Sequence, residues 1–335
     1  TGLDVSIDPF DDGRANLVAR LRGTDNRRAL GLLGHFDTAP IGHGTWCHPP
    51  HGAVVEGGRL YGRGTADMKA GVAAMMVAVE ALAQTGTDLA GDVVLALTSG
   101  ETYDCIGAKR LVAAGHLDDL DAVMVGEPTG LDVGIAEKSA LWLRVTALGH
   151  TGHTAQPVPN ANAIETMVRF LGRLADLDLA GSDHPILDPP TLAVGTISGG
   201  VSVNVTPDHC ETELDLRLLP DQDEKDVTSS VRALALPGMS VEVIDFKPAV
   251  VTSGDEPLVR AARSAHQRVL GVDPVPIGLP YFTDAAVICP RLGIPMVIMG
   301  PGGHGMSHQV DEYCELDSLE SAARIYAHTI VEFLA

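Results

Sequence analysis

Residues 30–38, Leu-Gly-Leu-Leu-Gly-His-Phe-Asp-Thr, constrain this chain more than any other stretch. A short apolar run (Leu30, Leu32, Leu33) ends in His35-Phe36-Asp37, and Pro40 closes it. A buried strand of a parallel sheet reads this way, with polar groups at its carboxyl end, where such sheets place their ligand sites. Residues two apart in a strand face the same way, so His35 and Asp37 are expected to project together. An imidazole backed by a carboxylate suits a divalent metal, because the carboxylate fixes the ring and raises its basicity. His-x-Asp alone is common by chance, and its weight here comes from the similar strand ends further along the chain.

The same pattern recurs downstream. Gly91 to Leu97 forms another apolar strand, ending in Thr98-Ser99-Gly100-Glu101-Thr102, and Ala122 to Val125 a further one, ending in Gly126-Glu127-Pro128. Between them Gly62 to Lys69 makes a glycine-permitted loop that delivers Asp67 to the start of a helix over Ala70 to Ala83. An N-terminal helix cap is the plain structural alternative for Asp67. Leu3 to Ile7 and Ala15 to Leu21 alternate as two strands joined by a turn, and Ala108 to Ala114 reads as a helix. His43, His48 and His51 lie in a Gly/Pro-rich loop over 39–64 without a paired carboxylate and read as solvated. Several strand ends bearing metal-ligand side chains are not what solubility alone requires.

Beyond Glu137 the pattern changes. Strand Leu141 to Ala147, helix Ala161 to Leu177, strands Thr191 to Ile197 and Glu211 to Leu218, helix Glu224 to Leu236 and strand Val241 to Phe246 succeed one another. That order, β-α-β-β-α-β, is the split unit of a ferredoxin-like domain. A helix near Leu258 to Leu270, a strand at Pro295 to Met299, a glycine-rich loop over 300–308 and a helix over Ser318 to Phe333 then restore α/β character. The expected architecture is an α/β catalytic domain, residues 1–138 and 248–335, interrupted by an inserted α+β domain, residues 139–247. A length of 335 residues suits two such domains.

Charge and cysteine usage narrow the function classes. A net charge of −21 argues against nucleic acid or an anionic membrane as partner. No apolar run is long enough to span a bilayer. Five cysteines, an odd number without a Cys-x-x-Cys pair, favour a reducing compartment, and with no signal peptide the expectation is a cytoplasmic protein. The opening Thr1-Gly2-Leu3 reads as a truncated start.

Taken in order, the motifs closely resemble the M20 metallopeptidases and deacylases, the group of acetylornithine deacetylase, succinyl-diaminopimelate desuccinylase and glutamate carboxypeptidase. The resemblance rests on G-H-x-D at Gly34 to Asp37, W-x-x-x-P at Trp46 to Pro50 and G-R-G-x-x-D-M-K at Gly62 to Lys69. It continues through G-E-P-T at Gly126 to Thr129, G-x-x-x-H at Gly149 to His153, N-V-x-P at Asn204 to Pro207 and D-x-R at Asp215 to Arg217. It closes with G-P-G and S-H-x-x-D-E-Y within Gly300 to Tyr313, while the family's N-terminal helical segment has no match.

The resemblance implies a zinc-exopeptidase-like catalytic domain whose insertion serves as lid and dimerisation domain. It implies that His35 and Glu127 hold one zinc, that Asp67 bridges to a second, and that His308 holds that second ion. Asp37 would orient His35, and Glu101 falls at the family's general base. His153 would stabilise the oxyanion in the partner subunit of a homodimer. Asn204 and Arg217 would clamp a substrate carboxylate, a task suited to the guanidinium fork. As plain alternatives, His153 is an ordinary loop residue and Arg217 a structural partner of Asp215; His304 is expected to be a bystander. One departure stands out: the family has a second acid after the base, and this chain has Thr102. A threonine hydroxyl is a poor zinc ligand beside a carboxylate, so one or two ions are expected, of zinc, cobalt or manganese, unless Asp104 or Cys105 substitutes. The expected function is metal-dependent hydrolysis of an amide in a small N-acyl amino acid or short peptide with a free carboxylate. The rivals are an impaired relative that only binds such a ligand, and a structural zinc protein, which loop-borne ligands and absent cysteine clusters disfavour.

Overall fold

The computed structural model describes residues 2–335 apart from Asp12, Asn26, Arg27, Ala180 and Ser182. The chain divides into two compact units, 1–137 with 250–279 and 283–335, and 138–249 with 280–282.

The first unit is built on a sheet of nine strands among the described residues. Asp4–Phe10, Arg14–Leu21, Asp92–Thr98, Ala29–His35, Ala122–Val125, Met296–Ile298, Gly134–Glu137 and Val250–Val251 lie side by side, and Ile277–Leu279 also pairs with Gly134–Glu137. Asp92–Thr98 and Ala122–Val125 flank Ala29–His35 and run parallel to it, as Met296–Ile298 does to Ala122–Val125. Ala29–His35, Asp92–Thr98 and Ala122–Val125 are buried at every position, which explains their unbroken apolar reading. Parallel neighbours end on one side of the sheet, so His35, Thr98, Val125 and Ile298 open four loops together. Helix Leu316–Phe333 packs against Ala70–Thr85 and Pro257–Leu270. Its Tyr326 hydroxyl donates to the Met299 carbonyl at 2.6 Å, anchoring the loop after Met296–Ile298.

Several elements depart from the sequence expectation. The loop over 39–64 contains a hairpin, Val54–Glu56 with Arg59–Tyr61, to which Tyr313–Glu315 adds a third strand. Strands Gly134–Glu137 and Ile277–Leu279 and helix Ala285–Leu292 also exceed it; the helix holds Pro290, which obscures its periodicity.

The second unit has a four-stranded antiparallel sheet, ordered Thr191–Gly199, His209–Arg217, Ala140–Leu148, Met239–Lys247. Alternate residues of Ala140–Leu148 and His209–Arg217 (Leu141, Leu143, Val145, Leu214, Leu216) join Met167 and Phe170 of helix Ala163–Leu174 in one core. The Asn162 side chain starts that helix by accepting the amides of Ile164 and Glu165. Asp223 starts the other, Glu224–Ala233, through the amide of Lys225. The β-α-β-β-α-β order is that expected from the sequence.

Candidate metal and catalytic centre

The parallel strand ends and the turn before helix Ala70–Thr85 bring four acidic and imidazole side chains together in the first unit. His35 is the last residue of its strand and 1% exposed. Its Nε2 stands 3.1 Å from Asp67 Oδ1, 3.3 Å from Glu127 Oε1 and 3.9 Å from Glu101 Oε2. Asp67 comes from a tight turn over Thr65–Lys69, whose Asp67–Met68 peptide is cis, just before helix Ala70–Thr85. Glu101 opens the short helix Glu101–Asp104, and Glu127 lies just beyond strand Ala122–Val125. His308 reaches the other side of Asp67, its Nε2 3.4 Å from Oδ2.

Asp37 occupies a different place from the one its spacing suggests. Strand Ala29–His35 stops before it, and its backbone carbonyl, rather than its carboxylate, accepts the His35 Nδ1–H at 2.9 Å; the nearer carboxylate oxygen is 3.7 Å away. The carboxylate instead accepts the amides of Gly100 (2.6 Å), Glu101 (3.2 Å) and Thr102 (3.1 Å) and the Thr102 hydroxyl (2.7 Å). Asp37 thus fixes His35 with its main chain and the Glu101 turn with its side chain. Thr102 is committed to Asp37. Asp104 accepts the amide of Ile106, and the Cys105 thiol points to the Glu101 carbonyl.

Crowded and largely buried carboxylates set the electrostatics. Burial, reinforced by Asp67 and only partly offset by His35, pushes Glu127 up to about 7. Burial pushes Glu101 well above the usual carboxylate range too, against the pull of His35 and with Glu127 and Asp284 adding to it. Burial opposes the charged imidazole of His35, yet the Glu127 carboxylate beside it, with Asp67 and Glu101, prevails and holds it well above its ordinary value. Asp67 is driven the other way: burial works against its ionisation, but hydrogen bonds from His308 and His35 hold it well below. Positive charge at this point, whether a proton on His35 or a cation, is what the surrounding carboxylates favour.

A divalent cation fits this place better than that proton does. His35, Asp67 and Glu127 present one ligand atom each within 4.8 Å of one another, and they are nitrogen and oxygen donors of the kind zinc takes in catalytic sites. The His35 Nδ1–H bond to Asp37 leaves Nε2 facing the carboxylates, the ring arrangement of a held metal ligand.

Three expected site residues lie in the second unit. His153 and Asn204 stand on facing segments: His153 bridges to Val205, and the Asn204 carbonyl accepts the Thr154 amide. Arg217 closes strand His209–Arg217, where Nε and Nη2 donate to Asp215 (3.2 and 2.9 Å) and the guanidinium lies over the Phe282 ring. Its Nη1 is buried without a hydrogen-bond partner among the described residues. His304 pairs with Asp132 at 2.9 Å, and His48 stacks on Tyr61 and bonds Glu56. Sequence reasoning gave no role to Asp284, a buried carboxylate that accepts the Thr98 hydroxyl, nor to Arg63 and Glu312. The last two were visible as letters of the family motifs, but nothing in the sequence pairs them.

Known proteins resemble the chain over almost its full length. The model of "Peptidase family M20/M25/M40" matches residues 31–332. A succinyl-diaminopimelate desuccinylase of Roseobacter denitrificans is 31% identical over 96% of this chain and 88% of its own. A probable succinyl-diaminopimelate desuccinylase of Staphylococcus aureus is 27% identical over 97% of this chain and 87% of its own. Among solved structures, an M20 family metallo-carboxypeptidase from Sulfolobus solfataricus superposes with a TM-score of 0.84 at 18% identity, covering 99% of this chain and 90% of that one. Human carnosine dipeptidase 1 does so with a TM-score of 0.80 at 17% identity, covering 99% and 87%.

Proposed function

The chain belongs to peptidase family M20/M25/M40 and is a metal-dependent hydrolase of amide bonds in acyl amino acids or short peptides, and on that premise we propose which residues do the work. His35, Asp67 and Glu127 would hold the tighter ion, and three such protein donors are what a catalytic zinc takes. When bound there, zinc, or alternatively cobalt or manganese, would supply Lewis acidity toward a carbonyl and toward water. Glu101 takes the proton of the attacking water and returns it to the leaving amine, a role its place 3.9 Å from His35 Nε2, beside the converging ligands, suits. Asp37 holds Glu101 in place through the turn amides. Asp67 and His308 offer a second, weaker position, one ligand short because the Thr102 hydroxyl is turned to Asp37. The observation that carries this reading is the convergence of His35, Asp67 and Glu127, with Glu101 within 3.9 Å of the same ring nitrogen.

For the substrate, we assign Asn204 and Arg217 to a free carboxylate, which the unpartnered Nη1 suits, and His153 to the developing oxyanion in a partner subunit's site. The homodimer contact we place on strand Thr191–Gly199, the sheet's edge, exposed at every position but Leu192 and carrying exposed Val194 and Ile197. The names of the relatives make N-succinyl amino acids the first compounds to try. Cytoplasmic residence agrees with five free cysteines, and no described helix is long and apolar enough to cross a membrane. A hydrolysis screen over N-acetyl and N-succinyl amino acids and dipeptides, with zinc, cobalt or manganese added, tests the reading. Turnover of one class, abolished by chelation and restored by metal, supports it. Binding of carboxylated compounds without turnover of any would put a binding protein in its place.

A further inference from the structure

Arg63 and Glu312 form an ion pair that is almost wholly buried, with side chains 2% and 0% exposed and 2.6 Å between Nη1 and Oε2. Removing two charges from water is expensive, and replacing such a pair with apolar residues is often neutral or stabilising. Stability alone is therefore a weak reason for it, and the remaining hydrogen bonds indicate a better one. The free oxygen of Glu312, Oε1, accepts the amides of Ala66 (2.9 Å) and Asp67 (3.0 Å). The other arm of the guanidinium, Nη2, donates to the backbone carbonyls of His308 (3.2 Å) and Pro40 (3.3 Å). Each half of the pair grips the main chain of one residue whose side chain faces the metal position: Glu312 grips Asp67, Arg63 grips His308.

The surroundings brace the pair. The Gly62 amide donates to the Glu312 carbonyl, and the Arg63 amide to the Pro50 carbonyl. The guanidinium lies 5.2 Å from the Trp46 ring centroid, and Asp311, next to Glu312, accepts the amides of Cys47 and His48. Segments near 40–50, 62–67 and 308–312, remote in sequence, are thereby joined around a planar fork that lysine could not reproduce.

We propose that the Arg63–Glu312 pair is a positioning device that sets Asp67 against His308 before any ion arrives, so that the metal meets a preformed place rather than building it. The proposal rests on the assignment of Asp67 and His308 as ligands, and deepens it. Two experiments test it. In the first, Arg63→Lys, which keeps the charge but loses the fork, is compared with wild type by zinc competition against a chelator and by thermal unfolding of the metal-free protein. A positioning role weakens zinc binding of the folded variant by about 10- to 100-fold, the usual consequence of losing a group that orients a ligand. A lower melting temperature with unchanged zinc affinity overturns it. The second needs no variant and holds even if Arg63→Lys does not fold. Amide hydrogen exchange at Ala66 and Asp67 in wild type should be equally slow with and without zinc. Amides that exchange freely in the metal-free protein and slow only on loading would show that the ion orders the turn, and would overturn the proposal. A wild type that binds no zinc defeats the ligand assignment and this inference with it, whereas unchanged affinity in Arg63→Lys defeats the inference alone.

Discussion

Replacing Gly71 with alanine sets two effects of opposite sign against each other. Gly71 is the second residue of helix Ala70–Thr85, and in a helix alanine is favoured over glycine by about 1 kcal/mol. Against that, a Cβ on Gly71 would stand 2.0 Å from the Gly126 carbonyl oxygen and 2.9 Å from its carbon. Ordinary contact begins at 3.4 Å, so the two backbones must part by about 1.4 Å. The obstacle is main chain, not the end of a flexible side chain, and the same oxygen is only 2.2 Å from where a Cβ on Gly300 would stand. Overpacking of this kind costs about 1–3 kcal/mol, which outweighs the helix gain and makes the substitution destabilising. Gly126 directly precedes Glu127, so the strain falls on a proposed metal ligand, and a misplacement of about 1 Å can cost on the order of 100-fold in turnover. The assay combines thermal unfolding, zinc competition and hydrolysis of the best substrate from the screen. Gly172→Ala is the control: it lies in helix Ala163–Leu174 with nothing within 4 Å of its Cβ, and should stabilise by about 0.5–1 kcal/mol. If Gly71→Ala melts like wild type or higher and keeps its zinc affinity, close backbone contact does not fix Glu127 and the reasoning fails.

Glu101→Gln should retain fold and metal binding while turnover falls by roughly 100-fold or more, the scale of a lost general base; near-wild-type turnover would remove Glu101 from the mechanism. Mixing inactive Glu101→Gln with inactive His153→Ala subunits should restore part of the activity, because one composite site in the heterodimer is intact. Confirmed subunit exchange without recovery would refute action across the interface. Elemental analysis after dialysis against dilute zinc should find one tight ion per chain in wild type and more in Thr102→Glu, where a carboxylate replaces the hydroxyl now given to Asp37. Two ions retained by wild type against a mild chelator would mean that another residue completes the second position.

How far each interaction reaches along the chain decides whether it can be read before folding. The placement of His35, Glu101 and Glu127 was legible because each ends or follows a strand buried at every position, and such strands announce themselves as apolar runs. Asp67 was legible through its glycine-rich loop and the helix behind it. Strand Gly134–Glu137 escaped because it is short and begins with glycine, and the hairpin Val54–Glu56 with Arg59–Tyr61 because three-residue strands in a Gly/Pro-rich loop leave no period to detect. Thr102 was visible as a departure, but its consequence was not. Whether it leaves room for Asp104 or Cys105 depends on where a hydroxyl points, and the hydroxyl points to Asp37, whose carboxylate the strand period directs at His35 instead. The Arg63–Glu312 pair lies at the far end of the same scale. Each residue sits in a recognisable motif, yet only folding shows that one accepts the amide of Asp67 and the other donates to the carbonyl of His308. The side chains of His35, Glu101 and Glu127 sit at or just past the ends of regular elements, where periodicity marks them. Those that hold the ligands' backbones sit in loops, where no period exists, so a sequence displays its chemistry more openly than the geometry that supports it.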